Sequence, residues 1–233
     1  MKSIIVITIN NLKRLNYNIY MNYNLITPLI EIPLYDLCLC LIFTQKARWF
    51  QLHTLINIMI LNVIANDIYN LLLNPINIKI LEYPKELYYI LYLHFYHMVF
   101  FNNTAMDYFH HIVFVLFGTL PIYYYYPVNV IRLATFSGCG LPGVIEYFTL
   151  SLVKHQKMKF LTQKTIMTYV YNYFRYPISI FAGSIIYYNH ILGLTSNINN
   201  FYIFYTIFMI IFNSGYFNKL VIENRTWHYL SIK

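Results

Sequence analysis

The residues best suited to chemistry fall in one short stretch of the chain. His94 and His97 stand three apart, and Asp107 precedes the adjacent pair His110 and His111 by three and four residues. On a helix, residues three or four apart share a face. His94 and His97 then point together, and Asp107 can reach one of the paired imidazoles. A carboxylate bonded to one ring nitrogen fixes the tautomer and raises the basicity of the other, as a general base or a nucleophilic histidine requires. The plainer alternative pairs these rings with backbone carbonyls or tyrosine hydroxyls in a wet interior. Four histidines and one carboxylate within eighteen residues favour the chemical reading.

Further polar residues are embedded in apolar surroundings. The segment from Leu52 to Leu73 carries His53, Asn57, Asn62, Asn66, Asp67 and Asn70, and the asparagines at 62, 66 and 70 recur at four-residue spacing on one face. Such a stripe suits hydrogen bonding between helices, or contact with a substrate. Arg132 and Glu146 lie fourteen residues apart, nearly four turns, so on a straight helix both point into one cavity. Between them, Gly138, Gly140, Pro142 and Gly143 weaken the helix or admit a close neighbour. Arg175 precedes Pro177. Each arginine suits either an internal ion pair or a clasped lipid headgroup. For a metal, the histidine count falls short of the three histidine boxes of membrane di-iron enzymes. A zinc held by histidine with Asp107 or Glu146 has no specific spacing behind it, so no metal is assigned.

The elements that position these residues follow from composition. Of 233 residues, 59% are hydrophobic, 20% aromatic and only 10% charged. Soluble domains carry about 25% charged residues, so a water-soluble globule is excluded, as is a disordered chain. Crossing the hydrocarbon takes about 20 mainly apolar residues, and seven segments qualify in outline: Leu25–Thr44, Leu52–Leu73, Leu87–Ala105, His110–Tyr126, Val128–Val153, Thr165–Tyr188 and Phe201–Phe217. Lipid admits helices or closed barrels, and these runs are too long and continuous for barrel strands. The expectation is an all-α membrane protein, a bundle of six to seven transmembrane helices around an internal lipid-facing cavity. Residues 1–24 form a tail or interfacial segment, 25–217 the membrane domain, and 218–233 a C-terminal tail. The formal charge of +8 comes from basic residues at the ends of apolar runs, which suit anionic headgroups rather than nucleic acid. Their distribution between loops favours a cytosolic C-terminus. Cys38, Cys40 and Cys139 are odd in number and form no disulfide framework.

Several of these residues also resemble a known pattern. Arg48-Trp49-Phe-Gln-Leu-His53, Asp107-Tyr-Phe-His110-His111, Glu146 and Phe174-Arg175-Tyr-Pro177 together resemble elements of the TLC-domain family of multi-pass membrane proteins, over roughly residues 46–217. The resemblance implies a helical bundle around a cavity open to lipid, in the endoplasmic reticulum or a related internal membrane. Among ceramide synthases of that family, an acyl group passes from acyl-CoA to a sphingoid base. By that likeness His110, His111 and Asp107 are the candidate catalytic set, acyl-CoA is the co-substrate, and no resident cofactor is implied. Asn129-x-x-Arg132 is present, but no Asp follows Asp107, which brings the chain closer to the small TLC-domain proteins linked to membrane lipid composition. The expected function is binding, sensing or redistribution of membrane lipids, with His94, His97, Arg132, Glu146 and Arg175 at the headgroup. The alternatives are N-acyl transfer and a trafficking or interaction role without catalysis.

Overall fold

The computed structural model describes residues 2–43 and 45–231, with side chains from residue 23 onward. Seven helical rods follow one another: α1 (Lys2–Phe43), α2 (Arg48–Leu73), α3 (Lys85–Phe100), α4 (Ala105–Tyr125), α5 (Ile131–Lys154), α6 (160–191) and α7 (Asn200–Ser231). Among the described residues the sole β feature is one bridge, Ile80 with Val128. Among the described residues, four segments are long and apolar enough to cross a membrane: Tyr23–Phe43, Gln45–Leu73, Ala105–Tyr125 and Ile131–Lys154. The chain is an all-α membrane bundle, as its composition requires. The backbone of α1 is helical through most of the expected N-terminal tail, and the side chains of residues 2–22 lie outside those described. The expected C-terminal tail continues α7 as far as Ser231.

Local chemistry sets where the rods begin and end. The predicted third segment, Leu87–Ala105, stops at Phe100, and α4 starts earlier than predicted, at Ala105. The cause is a capping box at Thr104 and Asp107. Asp107 N–H donates to Thr104 Oγ1 at 3.3 Å, and the Asp107 carboxylate accepts from Thr104 N–H at 2.8 Å. These bonds satisfy amides that a helix start leaves unpaired. The loops before α3 and before α5 are tied together by Asn129. Its Oδ1 accepts from Lys79 N–H at 3.0 Å, and its Nδ2 donates to the Asn77 carbonyl at 3.1 Å.

The core is organised by α2. Leu52, Ile56, Ile60, Ile64 and Ile68 recur at four-residue spacing and are all buried, so one face of the helix forms a continuous apolar ridge. The stripe Asn62, Asn66 and Asn70 stands apart from that ridge and is exposed. Among the described residues its side chains make no interhelical hydrogen bond within this bundle. Two ion-paired arginines link the rods instead. Arg48, at the start of α2, donates from Nε to Asp36 Oδ1 of α1 at 2.7 Å and pairs with the second oxygen. Tyr96 of α3 donates to the same carboxylate at 2.6 Å. Arg132 of α5 holds Glu86 of α3 through Nε at 2.6 Å and Nη2 at 3.1 Å, and also pairs with Asp67 of α2.

Glu86 is 0% exposed, so the second cluster is a charge network that three helices share. Removing one partner of a buried pair leaves an unbalanced charge and costs about 3–5 kcal/mol. We expect Arg132→Met to lower the thermal unfolding temperature of the detergent-solubilised protein by about 6–20 °C. Adding Glu86→Gln to it is expected to restore part of the loss.

Candidate functional site

At one end of the bundle, five histidines from three helices converge. His53 comes from α2, His94 and His97 from α3, and His110 and His111 from the first turns of α4. The two histidines of α3 meet the two of α4 one to one, in the same order along the chain. His94 Nε2 lies 3.2 Å from His110 Nε2, and His97 Nδ1 lies 3.1 Å from His111 Nε2. The tautomer of His94 is set by its backbone, because Nδ1 sits 2.6 Å from the Ile90 carbonyl, which can only accept. Its Nε2 in the neutral ring is then a lone pair. Trp49 stacks on His97 with centroids 3.4 Å apart and closes edge-on against His53. His53, His94, His97 and His111 are buried. Among the described residues, both ring nitrogens of His53, and Nδ1 of His110 and of His111, have no hydrogen-bond partner.

A cavity of about 260 Å³ runs from this cluster into the bundle. Along α4 it is lined from Met106 to Tyr123, and along α5 in the opposite direction from Tyr147 to Ile131. Sixteen or so residues of helix correspond to roughly 20–25 Å of length, so the cavity is narrow and extended. The histidine end carries His53, His94, His110, Glu146 and Arg175, and the walls beyond it carry Ile90, Phe114, Val115, Ile122, Met209 and Ile210. Glu146 and Arg175 are joined through a phenol: Tyr171 donates to Glu146, and Arg175 Nη1 donates to Tyr171 at 2.8 Å. Arg175 Nη2 donates to Asn213 at 2.8 Å, while its Nε has no partner.

Three stretches of helix that face this cavity are wound as π-helix, with i→i+5 hydrogen bonds: His110–Thr119 in α4, Phe136–Gly140 in α5 and Tyr171–Arg175 in α6. Each π-turn holds about one residue more than an α-turn and rotates the remainder of its helix by roughly a quarter turn. Such turns recur at functional sites. Here they aim His110, Gly138, Cys139, Tyr171 and Arg175 into one space.

The predicted residues separate accordingly. His94, His110, Glu146 and Arg175 line the cavity, and His97 and His111 stand behind them. Asp107 also borders it, but the carboxylate is committed to Thr104 through N–H at 2.8 Å and Oγ1 at 2.7 Å. The expected carboxylate–histidine hydrogen bond is not formed, because helix capping claims the acid. Arg132 does not share the cavity with Glu146, contrary to the straight-helix expectation. The π-turn at 136–140 shifts the register between them, and Arg132 is occupied by Asp67 and Glu86. The sequence reasoning missed Tyr147, Tyr171, Asp36 and Glu86. A carboxylate inside the apolar first segment marks Asp36, and Glu86 stands one residue before the predicted third segment.

His94, His110 and His111 place one ring nitrogen each within 4.8 Å of one another, a grouping able to hold a metal ion.

Glycines shape the wall that α5 presents. A Cβ at Gly143 would lie 2.6 Å from Asn57 Nδ2, whereas a Cβ at Gly138 meets nothing within 4 Å. Gly143→Ala must displace a buried amide and should cost about 1–3 kcal/mol. Gly138→Ala should be close to neutral in the same thermal unfolding measurement.

No protein-family model, curated protein or solved structure matches this chain.

Proposed function

We propose that the protein is a membrane-embedded lipid handler that takes one amphipathic lipid into its cavity and binds, senses or redistributes it. The observation that carries this reading is the cavity's two-part lining. One end offers imidazoles, Glu146 and Arg175 with an unpaired Nε donor, and the rest is mainly aliphatic and aromatic, with the hydroxyls of Thr119, Thr135 and Ser179 among them. Ligand sites of this kind are mostly apolar with a few convergent polar groups that fix orientation. A headgroup bearing donors and an anionic oxygen matches the polar end, and an acyl or isoprenoid chain matches the walls. The likeness of residues 46–217 to small TLC-domain proteins supports the same reading, with the endoplasmic reticulum or a related internal membrane as its proposed location. N-acyl transfer has less behind it, because no carboxylate is hydrogen-bonded to the histidine pair. General-base catalysis by these rings would have to proceed without that orienting partner.

The test is the set of lipids that leave the cell with the protein. Wild type purified in mild detergent is expected to retain a defined amphipathic lipid on mass spectrometry. Gly138→Leu, which grows a side chain into open cavity space, should reduce retention at least about fivefold at matched yield, since a narrow pocket has little spare volume. Equal retention in both would sink the reading. Labelled sphingoid base and fatty acid supplied to the same cells distinguish storage from turnover. Label appearing in a new amide-linked lipid, and lost on His110→Ala with His111→Ala, would establish acyl transfer.

A further inference from the structure

We infer that His94, His110 and His111 bind a single divalent transition-metal ion of the zinc class, with its open coordination position facing the cavity. This goes beyond the lipid reading and does not rest on it, because the argument uses only the rings and their surroundings. Zinc binds imidazole nitrogen at about 2.0–2.1 Å, so two nitrogens of one tetrahedron are about 3.3 Å apart. The His94 Nε2 to His110 Nε2 distance of 3.2 Å is that edge. His111 supplies the third nitrogen within 4.8 Å of the others. Three protein ligands with a fourth position left open is the arrangement of reactive rather than purely structural zinc.

The surroundings are those of a ligand set. His94 donates its Nδ1–H to the Ile90 carbonyl at 2.6 Å, which holds the ring still and leaves Nε2 as a lone pair. Metal-bound histidines are oriented by this kind of outer hydrogen bond. The buried His111 leaves Nδ1 without a partner. Unpaired buried polar atoms are costly, and a bound ion is one of the standard resolutions. His97, stacked under Trp49, contacts His111 Nε2 at 3.1 Å and backs that ligand from behind. Two carboxylates, Asp107 and Glu146, line the same cavity and offset part of the added charge. Imidazole-only donors favour zinc, copper, nickel or iron over magnesium or calcium. His94 and His110 line the cavity and His111 does not, so the fourth position opens inward, toward a water or an anionic oxygen of the occupant.

The test uses the full chain, purified on a non-histidine tag in detergent and stripped with a chelator, then titrated with Co²⁺ and Zn²⁺. Wild type should show the visible ligand-field bands of one tetrahedral cobalt per chain, displaced by one equivalent of zinc. Each of His94→Gln, His110→Gln and His111→Gln should weaken zinc at least about tenfold, since each removes one of only three protein ligands. The exposed His228→Gln should leave binding unchanged. Where a variant does not stay monodisperse, zinc-edge X-ray absorption of wild type decides: three imidazoles are expected, and fewer than three overturns the proposal. It is equally overturned by monodisperse wild type that gives no cobalt bands, or by bands that survive all three substitutions. Lipid retention is scored on the same metal-free and zinc-loaded samples, so either reading can fail while the other stands.

Discussion

Arg132 is the contact on which the arrangement of this bundle turns. Its guanidinium is held by Glu86 of α3 and Asp67 of α2, and the planar fork of an arginine accepts such partners in fixed directions. In hydrocarbon a buried charge without a counter-charge is strongly unfavourable, so the three helices have one mutual register in which all three charges are met. From Asp67 back to His53 in the histidine cluster is fourteen residues, about 21 Å of helix. Between those layers the α2 ridge at Ile60 and Ile64 packs into the core and carries that register along the bundle. Fixing the charge layer thus fixes how His53 of α2 stands against His94 and His97 of α3 at the other end.

The second organising feature is the departure from α-helical winding. A straight helix presents the same face every 3.6 residues, and most sequence arguments assume it. The π-turns in α4, α5 and α6 break that periodicity at the three places where the helices border the cavity. Gly140 lets the wide turn of α5 lie close against α2, since a Cβ there would be 2.8 Å from Leu61. The wide turns also explain how one wall can present Cys139 and Glu146 while Arg132, earlier on the same rod, reaches away to α2 and α3.

Much of this was legible from residue types alone. An all-α membrane bundle follows from too few charges and from long apolar runs. The convergence of His94, His97, His110 and His111 follows from their spacing on two adjacent helices. What was not legible depended on competition between partners. Asp107 stands at the right interval to reach a histidine, yet Thr104 places a helix start there, and the nearer amide and hydroxyl take the carboxylate. The asparagine stripe of α2 has the period of a buried face, but the isoleucines at 56, 60, 64 and 68 have the same period and a stronger claim to the interior. Glu86 and Arg132 are 46 residues apart, and nothing local in either helix announces the pair.

The placement of Trp49 has an optical consequence. The chain holds two tryptophans. Trp227 is 74% exposed on the last turns of α7, whereas Trp49 lies flat on His97 and edge-on to His53. An indole face responds to cationic character in a neighbour, so the emission of Trp49 is coupled to the electronic state of the histidine cluster. With Trp227 replaced by Phe, one emitter remains, built into the wall of the site. The protein then signals a change at its own centre through light, with no added label.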